Sequence, residues 1–114
     1  MKLIIERRRD PRVAVDWPVV VLTPKGAIKG KTVNISVSGL ALLLFSEMPD
    51  VGDEFQITLK PSEDHEMLIT CEKIWSDLVN LDGSFRSGIG VQFTKISSRD
   101  RKTIASLLKT YQPF

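Results

Sequence analysis

The order of apolar and polar positions divides the chain into short alternating segments, with one helical exception at its end. The run Val13-Ala14-Val15-Asp16-Trp17-Pro18-Val19-Val20-Val21-Leu22 is rich in β-branched residues and predicts a first strand. Pro18 inside it marks an edge position or a bulge. Thr23-Pro24-Lys25-Gly26 is a turn signal, and residues 28–34 predict a second strand pairing back on the first. Ser36-Val37-Ser38-Gly39 interrupts the pattern before residues 40–45, a third and mostly buried strand. A turn at 49–53 leads into residues 54–59, where clean alternation puts Phe55, Ile57 and Leu59 on one face. Residues 67–75 predict a fifth strand, with Met67, Ile69, Cys71 and the stem of Lys73 on one face and Leu68, Thr70, Glu72 and Ile74 on the other. A hairpin turn over residues 80–84 contains Asp82-Gly83. Residues 87–93 form the sixth strand, whose Gly88 and Gly90 imply close backbone approach or sharp curvature.

Only the end has a helical period. Ile104, Leu107, Leu108 and Tyr111 follow the i, i+3, i+4, i+7 rule, Ser97 or Ser98 is placed to cap, and Asp100 sits in the first turn, where the helix dipole favours a negative charge. Six short strands and one helix predict an all-β dominated fold, a six-stranded antiparallel β-barrel with a C-terminal α-helix. The expected organisation is a single domain over 1–114: an N-terminal arm at 1–12, a barrel at 13–96 and the helix at 97–112.

Composition narrows the function classes. A chain of 114 residues holds one core, and 42% hydrophobic with 26% charged residues is ordinary for a globular protein. The net charge of +2 is too small for a global electrostatic case for nucleic-acid binding, so any argument from charge must be local. A nucleic-acid barrel would also need exposed aromatics for stacking, and most of the aromatics fall at plausible core positions. One cysteine, Cys71, and one histidine, His65, exclude an intramolecular disulfide and give no metal cage. His65 falls in the polar segment Pro61-Ser62-Glu63-Asp64-His65-Glu66, where a solvated side chain is the simpler reading than a catalytic base. No carboxylate pair, Walker-type loop or dinucleotide fingerprint appears, so no enzyme is expected. The apolar run near Met1 is too short for a signal-peptide core and no stretch approaches membrane-spanning length, which predicts a cytoplasmic protein without membrane insertion.

Two segments carry candidate chemistry. In Arg7-Arg8-Arg9-Asp10-Pro11-Arg12 the guanidinium groups offer planar donor forks that match phosphate oxygens and the O6/N7 edge of guanine. Taken alone, a solvated basic tail explains the same residues. In Asn34-Ile35-Ser36-Val37-Ser38-Gly39, Asn34 and Ser36 are two apart, so an extended backbone would point them to one side. Gly39 permits a positive φ and close approach of a ligand to the main chain. Taken alone, this too is an ordinary polar turn.

Together the segments read RxxxR at Arg8 and Arg12, then NxSxxG at Asn34, Ser36 and Gly39, and this ordered pair resembles the PilZ domain family. The resemblance extends to Val13-Ala14-Val15, Ile74-Trp75 and Gly88-Ile89-Gly90-Val91-Gln92-Phe93, nearly the whole chain. It implies a six-stranded barrel that binds cyclic di-GMP, with no other cofactor. Arg8 and Arg12 would clamp guanine and phosphate from the N-terminal arm, and Asn34, Ser36 and Gly39 would form the rim on which the ligand rests. Asn34 stands where many family members have aspartate, which keeps an acceptor and loses a charge. Arg7, just before the motif, is compatible with two stacked ligand molecules, because a further guanidinium offsets the crowded phosphates. The implied function is a receptor that changes its surface on binding and signals to an unidentified downstream protein. The rival is an interaction adaptor of the same fold that does not bind the nucleotide, and the intact arginines argue against it.

Overall fold

The computed structural model describes residues 12–46 and 52–110. Along them run β1 (Val13–Ala14), β2 (Pro18–Thr23), β3 (Gly26–Ile35), β4 (Gly39–Leu44), β5 (Glu54–Ser62), β6 (His65–Leu81), β7 (Ser84–Lys95) and α1 (Ser98–Leu108). Neighbouring strands are antiparallel in the order β1-β3-β2-β5-β6-β7-β4, and β4 pairs back onto β3. Strands β2 to β7 therefore close into a six-stranded barrel, as the alternation predicts, and closure leaves no continuous free edge around the wall.

The expected first strand is broken in two, and both pieces lie on β3. β2 pairs with β3 from Pro18↔Lys31 to Thr23↔Gly26, and β1 pairs Val13↔Ile35 and Ala14↔Asn34. Between them the Thr32 side chain, 1% exposed, bridges the break alongside backbone bonds from the Val15 N–H to the Val33 carbonyl and from the Thr32 N–H to the Trp17 carbonyl. Thr32 Oγ1 donates to the Val15 carbonyl at 2.8 Å and accepts from the Trp17 N–H at 2.8 Å. Pro18, with no N–H to donate, then opens β2.

Alternation fills the interior. Phe55, Ile57 and Leu59 of β5, Met67, Ile69 and Cys71 of β6, and Ile89, Val91 and Phe93 of β7 are buried, as are Leu40, Leu42 and Leu44 of β4. Each such aliphatic or aromatic side chain contributes roughly 1.5–3 kcal/mol when taken from water. The helix adds Ile104, fully buried, with Leu107 and Leu108 packed against the core. Ser97 caps it from an extended conformation, its Oγ accepting from the Asp100 N–H at 3.0 Å. The helix ends at Leu108, short of the 97–112 expected; Tyr111 and most of the turn expected at 49–53 lie outside the described residues.

The β6–β7 hairpin is longer than its apolar pattern suggests, with the ladder continuing to Leu81↔Ser84. Asp82 (φ 53°) and Gly83 (φ 83°) both take the left-handed conformation that a two-residue hairpin needs. The strands outrun the core, so Ser76, Asp77, Asn80 and Ser84 read as loop although they hold regular pairs.

Candidate functional site

Two β-bulges decide what the outer wall displays. In β3, Thr32 opposes Leu42 and Asn34 opposes Ala41, so Val33 is the extra residue. Without it Asn34 would share the inward face of Thr32; the bulge turns Asn34 outward and leaves Val33 exposed. In β6, Lys73 opposes Val91 and Trp75 opposes Gly90, with Ile74 extra. By parity with Cys71 and Lys73, Trp75 would point to the core; the second bulge turns it out, 48% exposed. Most of the aromatics are expected at core positions; Trp17 is buried, and Trp75 is an exception for this reason.

The bulges bring four residues into one outward row across four adjacent strands: Asn34 pairs with Ala41, Ala41 with Gly90, and Gly90 with Trp75. The next outward row is Lys31, Leu43, Gly88 and Asp77. Three interstrand steps of about 4.8 Å make each row about 14 Å long. Ala41, Gly88 and Gly90 give it a low floor. Gly90 gives the Trp75 indole its present seat, because an added Cβ would fall among the ring's Nε1, Cε2 and Cδ1 atoms and the ring would have to shift.

At the Asn34 end stands Arg12, whose Nη1 donates to Asn34 Oδ1 at 2.8 Å. Two of the expected ligand residues are thus in direct contact on the outer wall. Arg7 and Arg8 lie outside the described residues.

Ser36 is placed differently from the expectation. β3 ends at Ile35, so Ser36 does not share the outward side of Asn34; it is 1% exposed, within the β3–β4 turn. Its Oγ accepts from the Ser38 and Gly39 N–H groups, both at 3.2 Å, and lies 3.2 Å from Ser38 Oγ and 3.3 Å from the Gly39 carbonyl. The hydroxyl therefore organises the turn. Gly39 is not in the positive-φ region, where among the described glycines only Gly26, Gly52 and Gly83 fall. Its requirement is steric: a Cβ would collide with the Val91 carbonyl oxygen of β7. The turn is also tied to β7 by the Phe93 N–H, which donates to the Ser38 carbonyl at 2.8 Å.

His65 and Cys71 belong to neither outward row. His65 is not in a solvated loop: it opens β6, its side chain is 23% exposed, and its Nε2 is 3.6 Å from Asp100 Oδ1 at the start of α1. Burial, and then the charge of Glu54, pushes the Cys71 thiol up to about 12, so it stays protonated at neutral pH. Among the described residues no three His, Cys, Asp or Glu side chains gather to hold a metal, and no helix is long and apolar enough to cross a membrane.

Trp75 is the site residue that sequence reasoning missed. Its signal was the glycine pair Gly88 and Gly90 in the facing strand, which announced a close approach without saying by what.

The model of the PilZ domain matches residues 6–110. No curated protein sequence matches the chain. Among solved structures, the PilZ domain of YcgR from Escherichia coli with c-di-GMP superposes with a TM-score of 0.73 at 14% identity, covering 91% of this chain and 90% of that one. MrkH of K. pneumonia in complex with c-di-GMP gives 0.73 at 23% identity over 90% of this chain and 51% of its own. The Borreliella burgdorferi PlzA protein in complex with c-di-GMP gives 0.66 at 11% identity over 96% and 56%. The chain thus spans about half the length of MrkH and PlzA and nearly all of the YcgR domain. At these identities the likeness is one of fold.

Proposed function

The chain belongs to the PilZ domain family, and from that premise we propose that it is a receptor for cyclic di-GMP that acts by binding and passes the signal to a partner protein. The observation that carries the reading is the outward row from Arg12 and Asn34 across Ala41 and Gly90 to Trp75. Its length of about 14 Å suits a flat dinucleotide laid across four strands. Its two ends suit the two parts of that ligand. A guanidinium at the Arg12 end matches phosphate oxygens or a guanine O6/N7 edge. The half-exposed indole at the other end offers a face on which a base can stack.

The motif residues then divide by role. Arg12 and Asn34 touch the ligand, with Arg8 completing the clamp from the arm. Ser36 and Gly39 act through the turn: the hydroxyl fixes its backbone, and the missing Cβ lets it sit against β7. Arg12 changes partners in this scheme, leaving the Asn34 amide for the ligand. That exchange alters the surface beside β1 and is the change a partner protein would read.

Titration of the protein with cyclic di-GMP, with GMP and cyclic di-AMP as comparisons, tests the reading by calorimetry. Saturable binding of cyclic di-GMP, at least tenfold tighter than either comparison, is expected. Absence of binding to cyclic di-GMP overturns it.

A further inference from the structure

The second outward row contains a residue that a site for an anionic ligand does not obviously call for. Asp77 is exposed, two residues after Trp75 on β6, and paired with Gly88. Side chains two apart on a strand stand on the same face, about 7 Å from each other. The carboxylate is oriented by its own backbone, with Oδ1 accepting from the Leu78 N–H at 2.8 Å. A carboxylate is acceptor-only with about four lone-pair sites, so this one bond leaves acceptor capacity for a ligand.

The two rows are polarised in the same sense. Arg12 and Asn34 lie at the β3 end of the first, and Lys31 at the β3 end of the second. Trp75 and Asp77 lie at the β6 end. A phosphate belongs with the cations. About 14 Å across the wall from Lys31, a carboxylate beside an open indole face suits a group that is flat, aromatic and rich in hydrogen-bond donors.

We propose that Asp77 is a base-specificity determinant: its carboxylate accepts the N1–H and 2-amino protons of a guanine seated on Trp75. The pairing is bidentate and charge-assisted. Adenine fits it badly, because its N1 is an acceptor and would face the carboxylate oxygen. Hypoxanthine keeps N1–H and loses the amino group, so it makes half the contact. This assignment rests on the cyclic di-GMP reading and goes beyond it in saying which residue distinguishes the base.

The test compares cyclic di-GMP with cyclic di-IMP, identical except for the 2-amino groups, by calorimetry on the wild type and on Asp77→Ala. Asp77 is exposed and outside the core, and circular dichroism checks that the variant is folded. The wild type is expected to prefer cyclic di-GMP by tenfold or more. In Asp77→Ala the affinity for cyclic di-GMP falls about tenfold or more, that for cyclic di-IMP falls less, and the preference shrinks toward one. A variant that keeps the wild-type preference, or binds cyclic di-GMP more tightly, overturns the assignment and leaves the receptor reading intact. A wild type that binds neither dinucleotide overturns both.

Discussion

The pyrrole half of the Trp75 indole lies over the Cα of Gly90, in the space that a Cβ would occupy. The two residues face each other across β6 and β7 in register. One face of the ring is thereby held on backbone, while about half the residue, 48%, remains open to solvent. The glycine gives the tryptophan a fixed seat, and the Ile74 bulge supplies the tryptophan.

Gly90→Ala should therefore lift the indole off the wall. Overpacking of this kind costs typically about 1–3 kcal/mol, and the low end applies because a half-exposed ring has somewhere to go. In a Trp17→Phe background the fluorescence of Trp75 should shift to the red, and cyclic di-GMP affinity should fall. Unchanged emission and affinity would show that the ring does not depend on its seat.

Arg12 and Asn34 should act as a coupled pair. A hydrogen bond to a charged group is worth roughly 1.5–3 kcal/mol, so Arg12→Ala should weaken cyclic di-GMP binding about ten- to a hundredfold. Asn34→Ala should cost about fivefold, as a neutral hydrogen bond of about 1 kcal/mol. The double variant should lose more than the sum, because either single substitution already removes the 2.8 Å contact that the ligand has to break, and that relief counts only once. A double-mutant cycle by calorimetry decides it, and strict additivity would mean they contribute separately.

Ser36 and Gly39 should behave as structural residues whose loss also reaches the ligand. Ser36→Ala strips the acceptor from the Ser38 and Gly39 N–H groups in a buried turn, at a cost of about 1–3 kcal/mol of stability. Gly39→Ala drives a methyl into the Val91 carbonyl. Backbone cannot swing aside as the Trp75 ring can, so this should be more destabilising than Gly90→Ala. Urea unfolding of the three variants checks the order. A fully stable Ser36→Ala with weakened binding would instead make Ser36 a direct ligand contact.

Cys71 should make stability fall on the alkaline side. Its thiol is pushed up to about 12 in the folded protein, chiefly by burial and then by Glu54, from an ordinary value of 9.0. The unfolded chain releases its proton first, so stability is unaffected below the unfolded value and declines as pH rises from about 9 toward 12. Denaturation midpoints across that range should show the decline, and Cys71→Ala should remove the part that this thiol contributes. In the native state at pH 8 the thiol should resist a disulfide reagent and react once urea unfolds the chain.

Much of this was legible in the order of residues. Period-two alternation in Phe55, Ile57 and Leu59 and in Met67, Ile69 and Cys71 fixes which face of each strand is buried, because a side chain's direction reverses at every step along an extended backbone. Asp82-Gly83 marks the hairpin, since few residue pairs tolerate two left-handed conformations in succession. The RxxxR and NxSxxG spacings single out Arg12 and Asn34 each within its own segment; the contact between them appears only in the fold.

Tertiary structure decided what a periodic pattern cannot carry. A bulge adds one residue and inverts every later parity, and nothing in Thr32-Val33-Asn34 or Lys73-Ile74-Trp75 marks Val33 or Ile74 as the extra one. That choice belongs to the pairing with β4 and β7, and it alone sends Asn34 and Trp75 outward. The chemistry of Ser36 and Gly39 permits a ligand role, and the motif alone shows nothing of their contacts within the fold. Their partners, the Ser38 and Gly39 N–H groups and the Val91 carbonyl, exist only once the turn folds against β7. The sequence by itself determined the barrel and its core faces, because these follow from local period and side-chain chemistry. The single outward row from Asn34 to Trp75 came from closing the sheet, which sets residues from four strands side by side.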